Sequence, residues 1–215
     1  MRLGVLGTGD VGRTIAARLI ELGHEVRMGS RTAGNERAVA WVLQAGGRAS
    51  QGTFRDAAGY GEIVVNCTAG GGALEALAAA GAQSLAGKVL IDVSNPLDFT
   101  QGGPRLFVCN DDSLGERIQA AVPGARVVKA LNTMTAAVMV DPGGIPGDHV
   151  AFLCGDDDAA KTRTTALLEE FGWPMARIVD LGDITAARGM EMYLPLWLSM
   201  MRALGTTRFN VAVAR

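Results

Sequence analysis

A glycine-rich turn near the start of the sequence constrains the fold of this chain more than any other feature. Residues 7–12 read Gly-Thr-Gly-Asp-Val-Gly, follow a short apolar run at 2–6 and open a helical pattern. In this strand–turn–helix context a GxGxxG sequence binds a dinucleotide. Gly7 permits the tight turn, Gly9 lets the backbone approach a pyrophosphate, and Gly12 lets the helix pack on the strand. Free amides at the helix N-terminus would then face the diphosphate. We therefore predict a nucleotide site here, with a purely structural turn as the alternative.

Short apolar runs alternate with longer helical patterns over most of the chain. Strands are predicted over 2–6, 25–28, 62–67, 88–93, 126–131 and 149–154. Helices are predicted over 36–44, 54–58, 74–82 and 114–121, with another before residue 21 and another after residue 157. Thr53 and either Asp156 or Asp157 are expected to cap two of these helices, because short polar side chains satisfy free amides at helix starts. This alternation predicts an α/β fold, a Rossmann-type doubly wound parallel sheet with helices on both faces.

The end of the second predicted strand indicates which dinucleotide is bound. In NAD-binding proteins an acidic residue about 20 positions after the glycines binds the ribose 2′-hydroxyl. Here the strand runs into Ser30, Arg31 and Thr32, without a carboxylate. A carboxylate would repel the extra phosphate of NADP, whereas a hydroxyl and a guanidinium group can hold it. We therefore predict NADP(H), with a solvated Arg31 as the alternative and with Arg13 and Arg37 as weaker candidates for the phosphate.

The pattern of the chain changes after about residue 179. Residues 184–204 read as one helix rich in Met and aromatic side chains, and 208–213 as a strand-like tail. A length of 215 residues corresponds to about one and a half typical domains. We therefore predict an NADP-binding Rossmann domain over 1–179. The remainder, 180–215, is expected to form a small C-terminal helical lobe and tail strand packed on the same domain.

The predicted strand ends offer small or polar residues to a bound ring. In an open parallel sheet, ligands bind in the crevice beyond the carboxyl ends of the strands, here at 67–70, 93–96 and 130–133. Asn95 and Pro96 form either a cis peptide bond or a rigid turn. Asn132 either meets the nicotinamide amide or the substrate, or caps a loop.

Composition excludes several classes of protein. With 48% hydrophobic and 20% charged residues, the chain is not expected to be disordered. A formal net charge of −2 provides no basic field for nucleic acid or an anionic membrane. The richest apolar stretch, 192–201, is interrupted by Pro195 and Ser199 and is too short to span a bilayer. Cys67, Cys109 and Cys154 lack metal-ligand spacing and are expected to be buried, reduced thiols, which predicts a soluble, cytoplasmic protein without a metal site.

Groups for acid–base or nucleophilic catalysis are not evident, and the catalytic residues stay unassigned. His24 and His149 are expected to be structural, and Lys129 either faces the cleft or is paired within a buried strand. Dehydrogenases that act on alcohols need a proton donor or base near the carbonyl oxygen. Hydride passed between two ring cofactors needs mostly stacking and orientation. The sequence therefore favours a reductase that works between two cofactors.

Three segments carry a resemblance to a known family. Residues 7–12 with 29–31, then 92–97, then 128–133 resemble the deazaflavin (coenzyme F420)-dependent NADP oxidoreductases in order and spacing. Relatives of that family include the cytosolic domains of membrane ferric reductases. The resemblance covers nearly the whole chain. It implies a Rossmann domain with a short C-terminal lobe, NADP(H) along the sheet edge, hydride exchange with a deazaflavin or flavin, and a homodimer whose lobe helps to close the site.

The resemblance also implies roles for single residues at three parts of the cofactor. It assigns the pyrophosphate to 8–11, the 2′-phosphate to Ser30 and Arg31, and the nicotinamide border to 67–69 and Asn95. Together with the motif analysis, the predicted cofactor-binding residues are Gly7, Thr8, Gly9, Asp10, Val11, Gly12, Ser30, Arg31, Thr32, Cys67, Thr68, Ala69, Asn95, Pro96 and Asn132.

Residues 187–197 depart from the family pattern and leave the hydride acceptor open. Their Met and aromatic side chains are interpreted first as core or interface, because Met adapts to irregular surfaces. One alternative function is reduction of a small imine or carbonyl, as in pyrroline-carboxylate and related reductases that share the first motif. Those enzymes usually carry a long helical dimerisation domain, for which the segment after residue 179 is too short. The other alternative is a redox sensor that binds NADPH without turnover.

Overall fold

The computed structural model describes residues 1–100 and 102–214, which form one large sheet, a small hairpin and flanking helices. The strands are β1 (Arg2–Leu6), β2 (Glu25–Ser30), β3 (Ala49–Thr53), β4 (Ile63–Asn66), β5 (Val89–Asp92), β6 (Leu97–Asp98), β7 (Arg105–Leu106), β8 (Arg126–Ala130), β9 (Ala151–Cys154) and β10 (Ile178–Asp180). The α-helices are α1 (Asp10–Glu21), α2 (Glu36–Ala45), α3 (Phe54–Tyr60), α4 (Gly70–Ala80), α5 (Ala82–Leu85), α6 (Leu114–Ala121), α7 (Ala136–Val140), α8 (Asp158–Glu170), α9 (Ala187–Met192) and α10 (Leu194–Leu204). Short 3-10 turns cover Pro142–Gly144, Met175–Arg177 and Ile184–Ala186.

The large sheet has the strand order of a doubly wound dinucleotide-binding fold. Its order is β10-β9-β8-β5-β4-β1-β2-β3. The run from β8 to β3 is parallel throughout, and the order reverses between β1 and β4. This reversal is the topological switch point, beyond which ligands bind in such sheets. The predicted Rossmann-type α/β fold is confirmed.

Helices cover both faces of the sheet, as predicted. On one face, Ile15 of α1, Trp41 of α2 and Leu167 of α8 belong to one buried apolar cluster. On the other face, Leu77 of α4 and Ile118 of α6 belong to a second cluster. Among the helices described, none combines the length and apolarity that crossing a membrane requires.

The far end of the sheet differs from the all-parallel prediction. Strand β9 runs antiparallel to β8, and β10 is parallel to β9. The connection from β8 to β9 holds the five-residue helix α7 and a 3-10 turn. It joins the two strands at the same end, as an antiparallel pair requires. A parallel pair needs a full crossover instead. The short edge strands β3 and β10 were also missed by the sequence pattern.

Both predicted helix caps are present. The Thr53 hydroxyl accepts a bond from the Asp56 amide at 3.1 Å, and the Asp56 carboxylate accepts one from the Thr53 amide at 2.8 Å. This is a reciprocal capping box at the start of α3. Of the two candidates for α8, Asp157 is the cap, since its carboxylate accepts the Ala160 amide at 2.8 Å. Asp156 instead accepts the Ile184 amide.

The C-terminal segment differs from the predicted long helix and tail strand. The helix is divided into a 3-10 turn, α9 and α10, and Pro195 lies in the first turn of α10, where a missing N–H costs no helix bond. The predicted strand over 208–213 is wrong. Among the described residues of the tail, a single bridge joins Ala212 to His149, just before β9 begins. Both edges of β9 are already paired, with β8 and β10, so the tail has no ladder to extend within the described sheet.

Candidate functional site

The glycine turn lies at the switch point and has the geometry predicted for it. Gly7 has φ +113°, and a Cβ there would lie 2.8 Å from the Cys67 carbonyl oxygen at the end of β4. A Cβ on Gly12 would lie 2.3 Å from the Gly7 carbonyl oxygen. At Gly9, no described atom lies within 4 Å of the corresponding position. The first and third glycines are therefore required by packing, while the second leaves the space in front of the turn open.

The first turn of α1 presents backbone amides to this space. Gly9 is the N-cap residue, and within the described chain no side chain caps the helix there. Gly9 and Asp10 are exposed, and Thr8 and Val11 are half-buried. Asp10 forms an ion pair with Arg13 in the next turn. The free amides suit an anionic diphosphate, and Arg13 is engaged by its own helix.

The end of β2 places Arg31 in solvent and Ser30 inside the loop. The Ser30 hydroxyl donates a bond to the Thr32 carbonyl oxygen at 2.6 Å. The Arg31 side chain is 74% exposed, and its Nε lies 3.8 Å from a carboxylate oxygen of Glu75 on α4. Such an exposed pair contributes at most about 1 kcal/mol, so the guanidinium group can exchange Glu75 for a phosphate. Arg31 is better placed for that role than Ser30, whose proton is already donated.

The ends of β4 and β5 pack closely against each other beside the turn. Helix α4 begins at Gly70, where a Cβ would lie only 1.9 Å from the Asn95 carbonyl oxygen. Ala69 is exposed, and the Thr68 hydroxyl donates to Asn66 Oδ1 at 2.7 Å. Burial, aided by the charge of Asp92, raises the pKa of the Cys67 thiol, so this cysteine is a packing group. Gly70, the last residue of the predicted strand end 67–70, is therefore required by packing.

Asn95 and Asn132 form a reciprocal amide pair that joins the ends of β5 and β8. Asn95 Nδ2 donates to the Asn132 carbonyl oxygen at 2.8 Å, and Asn132 Nδ2 donates to Asn95 Oδ1 at 3.0 Å. Asn132 Nδ2 also reaches the carbonyl oxygen of Met190 in α9 at 3.1 Å. The bond between Asn95 and Pro96 is trans, so it forms the rigid turn. Two predicted site residues are thus held together and tied to the C-terminal segment.

Backbone strain and unpaired polar atoms mark the same edge. Leu131, buried just before Asn132, has φ +62°, a left-handed conformation that costs a non-glycine residue about 1–3 kcal/mol. Asn132 Oδ1 and Thr133 Oγ1 are buried without a hydrogen-bond partner among the described residues. Unpaired buried groups are rare in folded proteins, and strained residues cluster at functional sites. The end of β8 is therefore a candidate for contact with a ligand.

A buried ionic cluster lies directly behind these strand ends. Lys129 Nζ is 2.7 Å from Asp92 Oδ2, 2.7 Å from Glu191 Oε1 and 2.6 Å from the Ser94 carbonyl oxygen. Burial alone lowers the pKa of the Lys129 ammonium group, but the two carboxylates outweigh it, and the pKa is raised above its ordinary value. Of the two readings of Lys129, the structure shows the paired lysine. The sequence pattern assigns no role to Asp92 or Glu191. Each is a carboxylate among mostly apolar neighbours, and this is the sequence signal that could have indicated a buried partner.

Both histidines are engaged by other groups, and one cysteine prediction is wrong. His24 Nε2 is 2.8 Å from a Glu170 carboxylate oxygen, and His149 Nε2 is 3.0 Å from the Pro142 carbonyl oxygen. Both histidines are structural, as predicted. Cys67 and Cys154 are both buried, as predicted, but Cys109 is exposed. It precedes Asn110, whose φ of +66° turns the chain at the surface.

The fold and the glycine turn define a dinucleotide-binding protein of the Rossmann type. Residues 2–96 match the family model for coenzyme F420-dependent NADP oxidoreductases. Over 212 residues the chain is 32% identical to the F420-dependent NADP reductase of Methanothermobacter marburgensis, covering 93% of this chain and 92% of that protein. The chain therefore belongs to the family of coenzyme F420-dependent NADP oxidoreductases, as its motifs predicted.

Two further relatives are similar to the chain over nearly its whole length. A crystal structure from Arthrobacter sp. FB24, provisionally named an F420-dependent NADP reductase, has a TM-score of 0.94 and 48% identity over 99% of both chains. That similarity includes the C-terminal segment. Metalloreductase STEAP3 of Rattus norvegicus is 30% identical over 200 residues, which is 91% of this chain and 38% of that protein. The chain thus spans about two fifths of the length of the metalloreductase.

Proposed function

We propose that this protein transfers hydride between NADP(H) and coenzyme F420, with a flavin as the second possible ring partner. The observation that carries the proposal is the open Gly9 turn at the switch point, beside strand ends of small and amide side chains. Behind Asn95 and Asn132, the ionisable groups Lys129 and Asp92 are buried and paired. Hydride transfer between two rings needs orientation more than proton transfer, so this edge suits it.

The proposed cofactor contacts follow the arrangement of the elements. The diphosphate would lie over 7–12, and Arg31 with Ser30 and Thr32 would hold the 2′-phosphate. The nicotinamide would lie against 67–69, Asn95, Pro96 and Asn132. The free Oδ1 of Asn132 supports this placement, since a carboxamide N–H can supply its missing donor.

Rapid mixing of NADPH-loaded protein with oxidised coenzyme F420 tests this function. Simultaneous loss of NADPH and deazaflavin absorbance at equal rates is the expected result. Oxidation of NADPH by small imines or carbonyls but not by F420 would favour the first alternative. Tight NADPH binding without oxidation by any acceptor would favour the redox sensor.

The protein is further proposed to be a homodimer joined through α10. In the described structure, Leu194 is the only buried residue of this eleven-residue helix. Leu196, Met200 and Leu204 follow at i, i+4 and i+8 on one face, and Leu196 and Leu204 are 57% and 59% exposed. An uncharged apolar stripe is self-complementary, as a twofold interface requires, and a second copy would cover it.

Two remaining proposals concern organisation and location. The chain is proposed to divide into a Rossmann domain over 1–179 and a C-terminal lobe over 180–215. Packing of the lobe on the same domain is supported by the contact of α9 with α6, where Arg188 binds Glu116. A cytoplasmic location is supported by the three free thiols, Cys67, Cys109 and Cys154, because reducing compartments keep thiols unpaired.

A further inference from the structure

The buried cluster behind the strand ends carries one more negative than positive charge. Lys129 provides one positive charge, and Asp92 and Glu191 provide one negative charge each. The side chains are 0%, 0% and 2% exposed, respectively. Charges removed from water in this way interact more strongly with their surroundings than surface charges do. The excess negative charge therefore acts on charged groups next to the cluster as well as on those within it.

The hydrogen bonds indicate that both carboxylates are ionised. Asp92 Oδ1 accepts bonds from Asn66 Nδ2 at 2.8 Å and from the Ser94 hydroxyl at 2.7 Å, while Oδ2 accepts from Lys129. An ionised carboxylate is a pure acceptor, whereas a protonated one must donate. Each oxygen of Asp92 faces a donor, so its ionised form fits the site.

Glu191 is held in the same way by a different element. Its Oε2 accepts the Leu114 amide at 2.8 Å, and its Oε1 accepts the Gly115 amide at 3.0 Å and Lys129 Nζ at 2.7 Å. These amides belong to the first turn of α6, whose dipole contributes roughly half a positive charge. The helix end therefore offsets only part of the excess, and the cluster stays negative.

The cluster adjoins the proposed nicotinamide contacts through the backbone. Lys129 holds the carbonyl oxygen of Ser94, the residue before Asn95. Lys129 is also three positions before Asn132, whose amide pairs with Asn95. The excess charge thus lies immediately behind the surface on which the nicotinamide is proposed to rest.

We propose that Glu191 is a positioning residue whose charge favours the oxidised cofactor in this site. The inference rests on the proposed NADP site. The nicotinamide ring is neutral in NADPH and positively charged in NADP⁺, so a fixed negative charge behind it stabilises NADP⁺ relative to NADPH. Bound NADPH is thereby made a stronger hydride donor.

The test is the ratio of the dissociation constants of NADP⁺ and NADPH, measured by isothermal titration without an acceptor. Glu191→Gln keeps the shape of the side chain and removes the excess charge. A unit charge roughly 10 Å away, at an effective dielectric constant of about 30, changes an equilibrium about sixfold. We expect the ratio Kd(NADP⁺)/Kd(NADPH) to rise by about that factor, and Glu191→Asp to leave the ratio near that of the unmutated protein.

Glu116→Gln is the matched control. Glu116 also joins α6 to α9, through Arg188 at 2.9 and 2.6 Å, but its carboxylate binds Arg188 and Ser113 instead of Lys129. The ratio should stay unchanged in this variant. A similar rise in both variants would assign the effect to helix docking and overturn the proposal.

Further outcomes separate this inference from the proposed function. An unchanged ratio in Glu191→Gln, with both nucleotides bound by the unmutated protein, overturns the inference and leaves the proposed function intact. Absence of binding of either nucleotide to the unmutated protein overturns both. If Glu191→Gln does not fold, as judged by circular dichroism, Asp92→Asn removes the same unit of charge and must raise the ratio in the same direction.

Discussion

At the scale of single residues, the packed glycines of the first turn leave no room for a side chain. The position that a Cβ on Gly12 would take is 2.3 Å from the Gly7 carbonyl oxygen, far inside van der Waals contact. Because that oxygen belongs to the backbone of the turn, a rotamer change cannot relieve the clash. The sequence alone indicated this role, since the spacing of the glycines encodes the local geometry.

Gly12→Ala is therefore expected to destabilise the protein by about 2 kcal/mol or more and to weaken NADPH binding. Gly59→Ala is the control, because Gly59 lies in helix α3 with open space at its Cβ position in the described structure. That change should be neutral or stabilising by about 0.5–1 kcal/mol. Urea unfolding of both variants measures the difference. Equal midpoints would contradict the close packing of the turn.

Arg31 is the residue expected to distinguish NADPH from NADH. A charge-assisted hydrogen bond contributes about 1.5–3 kcal/mol, so Arg31→Ala should weaken NADPH binding by about 10- to 150-fold and leave NADH binding nearly unchanged. Fluorescence titration of both nucleotides measures this. Arg163→Ala, which changes an exposed arginine on α8, serves as the control. Equal affinity of the unmutated protein for NADH and NADPH would refute the role.

Other residues of the site were beyond sequence reasoning. Lys129, Asp92 and Glu191 lie far apart in the chain, and only the pairing of β5 with β8 and the docking of α9 bring them together. A lone charge in an apolar run indicates a buried partner without saying which one. Long-range ion pairs of this kind become visible only with the tertiary structure.

At the scale of elements, apolar runs located the central strands and failed at the edges of the sheet. Strand β3 has the sequence Ala-Ser-Gln-Gly-Thr and lies at an edge, where burial does not require apolar side chains. The direction of β9 depends on where its connection re-enters the sheet, which hydrophobic periodicity does not encode. Sequence reasoning correctly predicted features that depend only on neighbouring residues, such as the Thr53 cap of α3.

Removing that capping box with Thr53→Ala is expected to cost about 1 kcal/mol at neutral pH. The hydrogen bonds from the Thr53 side chain and amide lower the pKa of Asp56 below its ordinary value in the folded state. A carboxyl group with a depressed folded pKa stabilises the fold above its unfolded pKa, near 4, and this contribution is lost as the pH falls through the folded pKa. The loss caused by Thr53→Ala should therefore be smaller near pH 3 than at pH 7.

Urea unfolding at the two pH values measures this difference. Because Asp56 is near the surface, solvent screening keeps the pH-dependent part small. Thr162→Ala provides a control, since the Thr162 hydroxyl binds only a carbonyl oxygen of its own helix in the described structure. A loss for Thr53→Ala that is equally large at both pH values would contradict the reciprocal bond.

At the scale of the whole molecule, the motifs predicted the fold and the family, while the acceptor could not be read from them. Few residues of the C-terminal segment, 180–215, have side chains whose chemistry indicates which molecule would bind there. Instead, its helix α10 presents apolar side chains, among them Leu196 and Leu204, to the outside of the molecule. Shape complementarity between two molecules leaves no short sequence signature, so the oligomeric state has to be measured in solution.

Leu196→Glu combined with Leu204→Glu should convert the proposed homodimer into a monomer, because two buried charges without partners are costly in an interface. Light scattering coupled to size-exclusion chromatography measures the mass. Leu43→Glu is the control, as Leu43 is an 80% exposed leucine on α2, away from the stripe. A monomeric mass for the unmutated protein would refute the dimer.

Transfer of deuterium from NADPH to coenzyme F420 tests the central claim most directly. NADPH carrying deuterium on one or the other face of the nicotinamide C4 is oxidised by the protein with F420, and the reduced deazaflavin is analysed by mass spectrometry. A fixed crevice that presents one face of the ring predicts deuterium in the deazaflavin from one labelled form and none from the other. Loss of the label to water, or failure of F420 to oxidise NADPH at all, would contradict direct hydride transfer in this site.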